Sequence, residues 1–432
     1  MSTFLNLLFV LLLPVESWAD MNSTYGFGST SAALAGSNRA KSYDAFTVER
    51  NPALMSFSGA RTSYGLLGGF DQFQDLENVN TDSVFLGGSN TTSSVDTDVP
   101  DTLNVLVGSI WTFGSSDRDY RVGLTVSAPV DKVTEPTTKD LYQPQYAMYL
   151  SDSQRLSLSA AISRRLGERW SLGVGLAYYL VQGATYQSRM PSDGATARTT
   201  TANLKTTVKP AYAPLAGLAW KATDRQTWSL NYVGIRDSKL KARSEVVLGI
   251  VGATPVAFEG EASLFYDPET WSLGYTYEGE NTDILLALDY ERWGRFNGSA
   301  MQLSFITFQS TFRQYPVDAQ YKDILVPRLG LSTRVGEGSV KTGLAYRPSP
   351  TPALEKETNF LDSDRVIYGL GYGFPSTLFG LLDSPLTIDL HSQVQYLMPK
   401  TVIKENPSSI GGPRYEVRGY VFSYGINFNV GI

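Results

Sequence analysis

The chain has no cysteine and a single histidine, His391, among its 432 residues. That removes disulfide frameworks, thiol nucleophiles and cysteine-type zinc sites, and it leaves one imidazole for any serine–histidine chemistry. Charged residues make up only 18%, and the net charge is −6 with a pI near 5.1, which excludes nucleic acid as the main partner. No stretch beyond the N-terminus approaches the ~20 apolar residues that a membrane helix needs, so a helical membrane protein is excluded. Length alone would suggest two or three soluble domains. What the chain has in quantity is glycine (39), tyrosine (25) and phenylalanine (20).

The N-terminus carries a short apolar run from Phe4 to Leu13, then Pro14 and Ser17-Trp18-Ala19. This pattern is that of a cleaved secretory signal over 1–19, with the mature chain starting at Asp20. It departs from the usual form in one respect, because no Lys or Arg precedes the run and the first basic residue is Arg39.

Alternation of period two recurs along the rest of the chain. Phe422, Tyr424, Ile426, Phe428, Val430 and Ile432 interleave with Ser, Gly and Asn, and Leu172, Val174, Leu176, Tyr178 and Leu180 interleave with Ser, Gly and Ala. Successive strand side chains point to opposite faces, so each segment has one apolar face and one small or polar face. A soluble sandwich would alternate too. Three features favour a membrane barrel: segments of about ten residues or more, polar faces full of Gly, Ser, Thr and charge that suit a wet lumen, and connections that alternate short with long.

The pattern predicts an all-β fold, a transmembrane antiparallel β-barrel of fourteen strands near 61–70, 102–113, 119–128, 154–166, 170–182, 211–220, 227–238, 262–278, 282–296, 323–335, 339–347, 364–374, 385–398 and 415–431. Strand 8 is interrupted by Asp267-Pro268, which demands a bulge or kink. Long polar segments at 71–101, 129–153, 183–210, 239–261, 297–322, 348–363 and 399–414 read as external loops. Trp111, Phe113, Trp170, Trp220 and Trp228 sit beside the short turns, where an interfacial aromatic girdle belongs. An even strand count places both termini in the periplasm.

Residues 20–58 are not strand-like. They hold Gly26, Gly28, Gly36, many Ala and Ser, and the break at Asn51-Pro52. Their apolar residues (Tyr25, Phe27, Leu34, Phe46, Leu54) favour burial as a plug inside the barrel over a solvated tail. The organisation expected is therefore signal 1–19, plug 20–58 and barrel 59–432.

At this point the chain resembles the FadL/TodX family of Gram-negative outer-membrane transporters for long-chain fatty acids and other hydrophobic compounds. "AALAGSNRAKSYDAFTVERNPAL" resembles the family's small-residue stretch ending in Asn-Pro-Ala before strand 1. "YRVGLTVSAPVDKVTEP", "LALDYERWGRF", "VPRLGLSTRVGEGSVKTGLAYRPSPTPA", "LDSDRVIYGLGYGF" and "VFSYGINFNVGI" resemble strands 3, 9, 10–11, 12 and 14 in order. The resemblance implies a monomeric barrel closed by an N-terminal hatch, with no cofactor and no metal. Partners are the outer-membrane bilayer and a hydrophobic ligand such as a fatty acid. Ligand would be captured outside, held near the hatch, and released sideways through a gap that a kink in strand 3 opens.

The candidate residues follow. Asn51, Pro52 and Ala53 form the hatch-to-barrel junction, against the bland reading of a plain turn. Ala128 and Pro129 mark the lateral-gap region, where Ala128-Pro129-Val130-Asp131 replaces the family's Pro-Phe-Gly. Tyr25, Phe27, Phe46 and Arg365 are the ligand-binding candidates. Asp362, Asp364 and Arg365 form a D-x-D-R at the start of strand 12. Val366, Tyr368, Leu370 and Tyr372 take the lipid face by parity, so Arg365 faces the lumen, as either a salt-bridge member (the commoner arrangement) or the partner of a ligand carboxylate or hatch acid. The other lumenal charges by parity are Asp289, Glu291, Arg328, Arg334, Lys341, Arg347 and Asp389. Segment 183–210 is Thr/Ser/Lys-rich, with few apolar residues for a landing groove. A general water-filled porin or structural barrel remains the alternative. A barrel enzyme would need His391, whose inward parity is unfavourable for a lipid substrate.

Overall fold

The computed structural model describes residues 24–81, 92–99, 101–114, 120–130, 144–149, 156–180, 185–191, 199–208, 210–247, 255–296, 301–305, 310–314, 320–351, 353–356, 359–376 and 386–431. The signal expected over 1–19 lies outside the described residues. Fourteen antiparallel strands form a closed barrel. They are β1 (Arg61–Phe73), β2 (Thr102–Phe113), β3 (Tyr120–Pro129), β4 (Leu156–Leu166), β5 (Trp170–Leu180), β6 (Ala211–Thr223) and β7 (Gln226–Val233). The remainder are β8 (Thr270–Glu278), β9 (Thr282–Glu291), β10 (Ile324–Val335), β11 (Gly338–Arg347), β12 (Arg365–Ser376), β13 (Leu386–Ile403) and β14 (Arg414–Gly431). Closure pairs β14 with β1, from Arg61 opposite Gly431 to Phe73 opposite Gly419.

The alternation works as read. Leu172, Val174 and Leu176 of β5 and Tyr368, Leu370 and Tyr372 of β12 are exposed on the outside, and their sequence neighbours point in. Such an apolar outer band is stable because lipid is its solvent, and the closed ladder leaves no unpaired edge in hydrocarbon. Trp111, Phe113, Trp170, Trp220 and Trp228 all face outward beside the short turns, and Trp170 stacks on Trp220 at 5.3 Å.

The inner face departs from the wet lumen that its small residues suggested. Residues 24–58 run through the interior and bury it. Helix α1 (Ser29–Ala33) packs against β11 to β14, helix α2 (Thr47–Arg50) against β3 and β4, and a 3-10 helix (Pro52–Phe57) against β3 to β6. The seats are rows of glycine lying side by side on adjacent strands. Gly330, Gly343 and Gly369 face one another across β10, β11 and β12. A Cβ at Gly343 would fall 2.1 Å from the Leu34 carbonyl carbon, and one at Gly369 would fall 2.3 Å from the Ala32 oxygen. A second row, Gly173 opposite Gly217, lies under Asn51–Ala53, where a Cβ at Gly217 would meet Asn51 Oδ1 at 2.2 Å. Backbone is laid directly on the wall at both places.

Two strands differ from expectation. β7 ends at Val233 and β8 begins at Thr270, so the predicted segments 227–238 and 262–278 are each split. The chain between them continues as Arg236–Val247 paired with Pro255–Asp267. The breaks face each other, Gly234-Ile235 on one side and Pro268-Glu269 on the other, so the hairpin leaves the barrel wall at the expected proline. Together with Thr185–Pro191, Thr199–Val208, Met301–Phe305 and Ser310–Gln314 it builds a separate six-stranded sheet. Segments 183–210, 239–261 and 297–322 are therefore partly strand rather than loop. Period two cannot distinguish a strand crossing lipid from one standing above it. The 71–101 connection likewise holds a short hairpin, Leu76–Asn80 with Thr92–Val95.

Replacing Gly343 by Val should leave barrel assembly intact and unseat α1. Heat-modifiable gel migration should be retained, while added protease should cut the N-terminal segment faster by roughly tenfold or more, because the opened state becomes more populated.

Candidate functional site

The interior segment is tied to the wall by charge as well as by close packing. Arg39 reaches Asp289 with Nη2 at 2.8 Å, and Arg328 Nε reaches the same carboxylate at 2.8 Å while its Nη1 donates to the Ala35 carbonyl at 2.7 Å. Lys41 bridges Glu278 and Asp283 at 2.7 and 2.9 Å. Within the segment, Arg50 holds Asp44 at 2.7 Å and donates to the Phe27 carbonyl at 2.6 Å. The mixed lumenal charges thus pair largely among themselves, as their parity suggested. Lys341 meets Asp389, and Arg347 meets Glu291 at 2.8 Å. Arg334 is the exception, exposed at the short-turn end with its Nη1 on the Glu280 carbonyl.

Asn51 and Pro52 form a defined joint. Asn51 is extended (φ −161°, ψ 96°), as a residue before proline must be. Its Oδ1 accepts from the Ala53 amide at 3.2 Å, capping the 3-10 helix that Pro52 opens, and its Nδ2 donates to the Arg39 carbonyl at 3.1 Å. The Ala53 carbonyl accepts from Ser171 on β5 at 2.7 Å. Asn51 therefore ends α2 with its backbone, caps the next helix with its side-chain oxygen and holds the Arg39 carbonyl with its side-chain nitrogen.

Above this interior segment, toward the long-loop end, gathers a packed group of aromatic rings, the aromatic chamber. Phe73 stacks on Tyr146 at 3.8 Å, Tyr266 stacks on Phe296 at 4.4 Å, and Phe296 meets Tyr321 at 4.9 Å. These rings belong to one continuous apolar cluster that also includes Tyr149, Trp293, Phe27 and Phe46. Below it a cavity of ≈ 140 Å³ is lined by Phe27, Trp293 and Ile367, but mainly by charge: Arg39, Glu49, Arg50, Arg236, Asp267, Asp289, Glu291, Arg328, Arg347 and Arg365.

Arg365 stands apart in this belt. It is buried (3% exposed), it begins β12, and its guanidinium lies 5.4 Å from the centre of the Tyr149 ring. Its Nε and Nη1 have no hydrogen-bond partner, and among the described residues no acid lies within salt-bridge distance of it. The lumenal salt bridge considered the commoner arrangement is absent there. Of the other ligand candidates, Phe27 lines the cavity. Phe46 packs edge-on behind it at 5.3 Å, and Tyr25 is spent on Asp71, to which its hydroxyl donates at 3.0 Å. Gly28 permits that ring pair, since it holds φ 85° and a Cβ there would strike Phe46 at 2.5 Å.

The acids of the D-x-D-R do not reach the cavity. Asp362 accepts from the Ser349 hydroxyl at 2.8 Å, and Asp364 accepts from the Ser349 amide at 2.9 Å and from the Tyr346 hydroxyl. They pin the 348–351 corner beside Arg365. Burial pushes the Asp362 carboxyl up from 3.8 to about 6, against the downward pull of Arg347 and the Ser349 hydroxyl. The folded group holds its proton more tightly than the unfolded one, so its contribution is greatest at low pH and is lost as pH rises from about 4 to about 6. The protection factor of the Ser349 amide, its intrinsic pH-dependent exchange rate divided by the observed one, should fall across that window as the corner loosens, and Asp362→Asn should flatten the profile.

Ala128 and Pro129 close β3 with Val105 and Asn104 opposite them on β2. The ladder of β3 with β4 runs from Tyr120 opposite Arg164 to Ser127 opposite Ser157 without a register shift. The kink expected in strand 3 is not present over that span. Nothing in the residues 120–127 supplies a bulge or an internal proline to make one.

Sequence reasoning missed the chamber rings Tyr146, Tyr149, Tyr266, Phe296 and Tyr321, and the cavity residues Glu49 and Arg236. Tyr146 and Tyr149 sit three apart in a segment taken as loop, and Tyr266 adjoins the proline break. Those clusters of aromatic residues beside loop signals were the available clue.

Residues 19–430 match the family model for the outer membrane protein transport protein (OMPP1/FadL/TodX). The chain belongs to that family. Its place is accordingly the Gram-negative outer membrane, and the family comprises transport channels rather than enzymes. His391 is buried in the lumen wall. The fold is similar to that of a Pseudomonas aeruginosa FadL homologue, at TM-score 0.63 and 15% identity over 97% of this chain and 99% of that one. It is also similar to the P. putida toluene transporter TodX, at TM-score 0.56 and 15% identity over 94% and 99%. In sequence, 137 residues are 28% identical to alkane uptake protein A of Marinobacter nauticus, covering 31% of this chain. The match spans only 30% of that relative's length.

Asn51→Ala should loosen the interior segment by about 1 kcal/mol through the lost cap. Asp289→Ala takes the shared carboxylate from two half-buried guanidinium groups and should cost more, about 3 kcal/mol. Denaturant-dependent protease protection of the N-terminal segment would rank the two.

Proposed function

We propose that the protein is a passive outer-membrane transporter of hydrophobic small molecules, and that its preferred ligand carries a carboxylate, as a long-chain fatty acid does. The observation that carries this reading is Arg365, a buried guanidinium without an acid, placed beside Tyr149 where the aromatic chamber meets the charged cavity. A buried unpaired cation is costly. An amphiphile resolves that cost, with its tail among the chamber rings and its head on Arg365. An alkane would leave the guanidinium unsatisfied.

In this reading residues 20–58 are the hatch, and Asn51-Pro52-Ala53 is the joint from which it hangs. Phe27 gives the ligand an apolar contact on the hatch surface beside the head, Phe46 backs that ring, and Tyr25 holds the hatch to Asp71. Exit is assigned sideways, beside Ala128 and Pro129 at the long-loop end of β3. Sideways exit spares a long tail the passage through water, which opposes it by about 0.8 kcal/mol per exposed methylene. A general porin fits poorly, because residues 24–58 pack along the lumenal wall from β3 to β6 and from β11 to β14 and are tied to it by ion pairs. An uncharged hydrocarbon as ligand is the second reading, favoured by the match to the alkane uptake protein.

Native mass spectrometry of the purified protein should find a retained long-chain carboxylate. Arg365→Gln should weaken binding of oleate by roughly 10- to 100-fold, the worth of a charged hydrogen bond, and leave n-hexadecane binding unchanged. Equal oleate affinity in the variant and the parent would remove the carboxylate reading and favour the hydrocarbon.

A further inference from the structure

We propose that the barrel has a lateral port between β10 and β11, through which a single-chain carboxylate dissolved in the bilayer enters the interior. The Arg347–Glu291 ion pair is its latch. The inference rests on the transport reading above and adds an entry route to it, apart from the exit assigned beside β3.

The port is a slit with defined ends. The register of β10 with β11 stops at Arg328 opposite Ala345. The two chains next meet where the Lys322 amide donates to the Pro350 carbonyl at 3.0 Å. Between those points each flank is held by its other neighbour. β10 stays on β9, from Pro327 opposite Leu288 to Ile324 opposite Glu291, and β11 stays on β12, with Tyr346 opposite Val366 and Arg347 opposite Arg365. Residues 323–327 thus face 346–349 without a ladder, over about 16 Å at ~3.3 Å per residue. Pro327, Pro348 and Pro350 have no amide hydrogen to leave unsatisfied there, and the Ser349 amide is spent on Asp364 at 2.9 Å. Parting strands elsewhere in the wall would strip backbone groups of their partners, at several kcal/mol each in hydrocarbon. Parting them here breaks no ladder pair.

Both sides of the slit suit an amphiphile. Outside, a cavity of ≈ 680 Å³ on the lipid face is lined by Leu288, Pro327, Leu329, Leu344, Tyr346 and Val366. Inside lies the charged cavity with Arg347 and Arg365, and Arg328 borders both. The outward Tyr290 and Tyr346 mark the interfacial belt at the long-loop end, and their hydroxyls donate to Asp323 and Asp364. The slit therefore stands at headgroup level, above the hydrocarbon that the closed ladder seals. A carboxylate in the bilayer rests at that level with its tail below, so its head meets the slit and its tail meets the apolar groove.

Arg347 bars the inner side. It ends β11, and its Nη2 reaches past β10 to Glu291 of β9 at 2.8 Å, where the Trp293 indole also donates at 2.8 Å. The pair ties together the two strands that flank β10. Arg347 Nη1 has no hydrogen-bond partner, and Arg365, with Nε and Nη1 in the same state, is its neighbour across the ladder. A carboxylate arriving through the slit meets both guanidinium groups, and its bond to Arg347 competes with Glu291. The ligand itself loosens the latch.

The test uses the full chain reconstituted in liposomes, with barrel assembly checked by heat-modifiable migration. Because the chain has no cysteine, Pro327→Cys with Tyr346→Cys can be joined by a short bismaleimide that holds the slit shut. Joining should slow both uptake and release of bilayer-supplied oleate by roughly tenfold or more, and blocking the two thiols singly with N-ethylmaleimide should not. Glu291→Gln weakens the latch and should speed release by roughly tenfold. If the first cysteine pair does not assemble, Leu325→Cys with Pro348→Cys takes its place. Exchange at the parent rate in the joined form overturns the port, as does equal slowing in the singly blocked form or an unchanged release rate in Glu291→Gln. A parent that still retains oleate then leaves transport standing by another route. A parent that retains neither oleate nor n-hexadecane sinks the transport reading, and the port with it.

Discussion

The contact on which the rest of the structure depends is backbone against backbone, where the interior segment lies on rows of wall glycine. A fourteen-stranded barrel encloses more space than its own side chains fill, so something must occupy the lumen or water will. Here the occupant comes so close that no Cβ fits beneath it. At Gly343 and Gly369 the wall meets the main chain of Leu34 and Ala32, and at Gly173 and Gly217 it meets Asn51 to Ala53. These two seats set the positions of α1 and the 3-10 helix, and the path between them sets where every charged side chain of the segment lands.

Charge then registers what packing has seated. Asp289 is the pivot, because it neutralises Arg39 from the interior segment and Arg328 from β10 at the same time. Buried pairs of this kind add little net stability over apolar packing, but breaking one is costly. Their consequence here is positional: the segment has one charge-matched arrangement on a wall whose glycine rows alone would allow sliding.

The vertical order of the interior is apolar over charged over sealed. Rings from Phe73, Tyr146, Tyr266, Phe296 and Tyr321 gather at the long-loop end, the arginine-rich cavity follows, and the seated helices close the short-turn end. Such an order suits a molecule with one greasy and one anionic end, which is why Arg365 weighs more in the functional reading than any ring. The six-stranded sheet above the barrel extends the wall on the same side as Arg236, since the strand that carries Arg236 rises directly from β7.

Much of the barrel was legible from the chain alone. The strand pattern of β2, β5 and β11, the outward tryptophans and the proline break at Pro268 are local facts. Alternation of apolar and small residues is imposed by neighbouring residues in one strand, and lipid imposes it without reference to anything distant. The same rule explains the misreading at 236–247 and 255–267, because strands in and above the membrane alternate alike. Family likeness named the Asn51-Pro52 junction, and the lumenal side of Arg365 followed from parity. Tertiary structure alone decided that the small-residue face is a seat for the interior segment, that Arg365 meets no acid among the described residues, and that Glu49 reaches Tyr179 and Arg236. The reason is separation along the chain: Arg328 meets the Ala35 carbonyl across 293 residues, and Tyr179 meets Glu49 across 130. No local pattern encodes which lumenal group will face which, since the closing of the barrel brings them together.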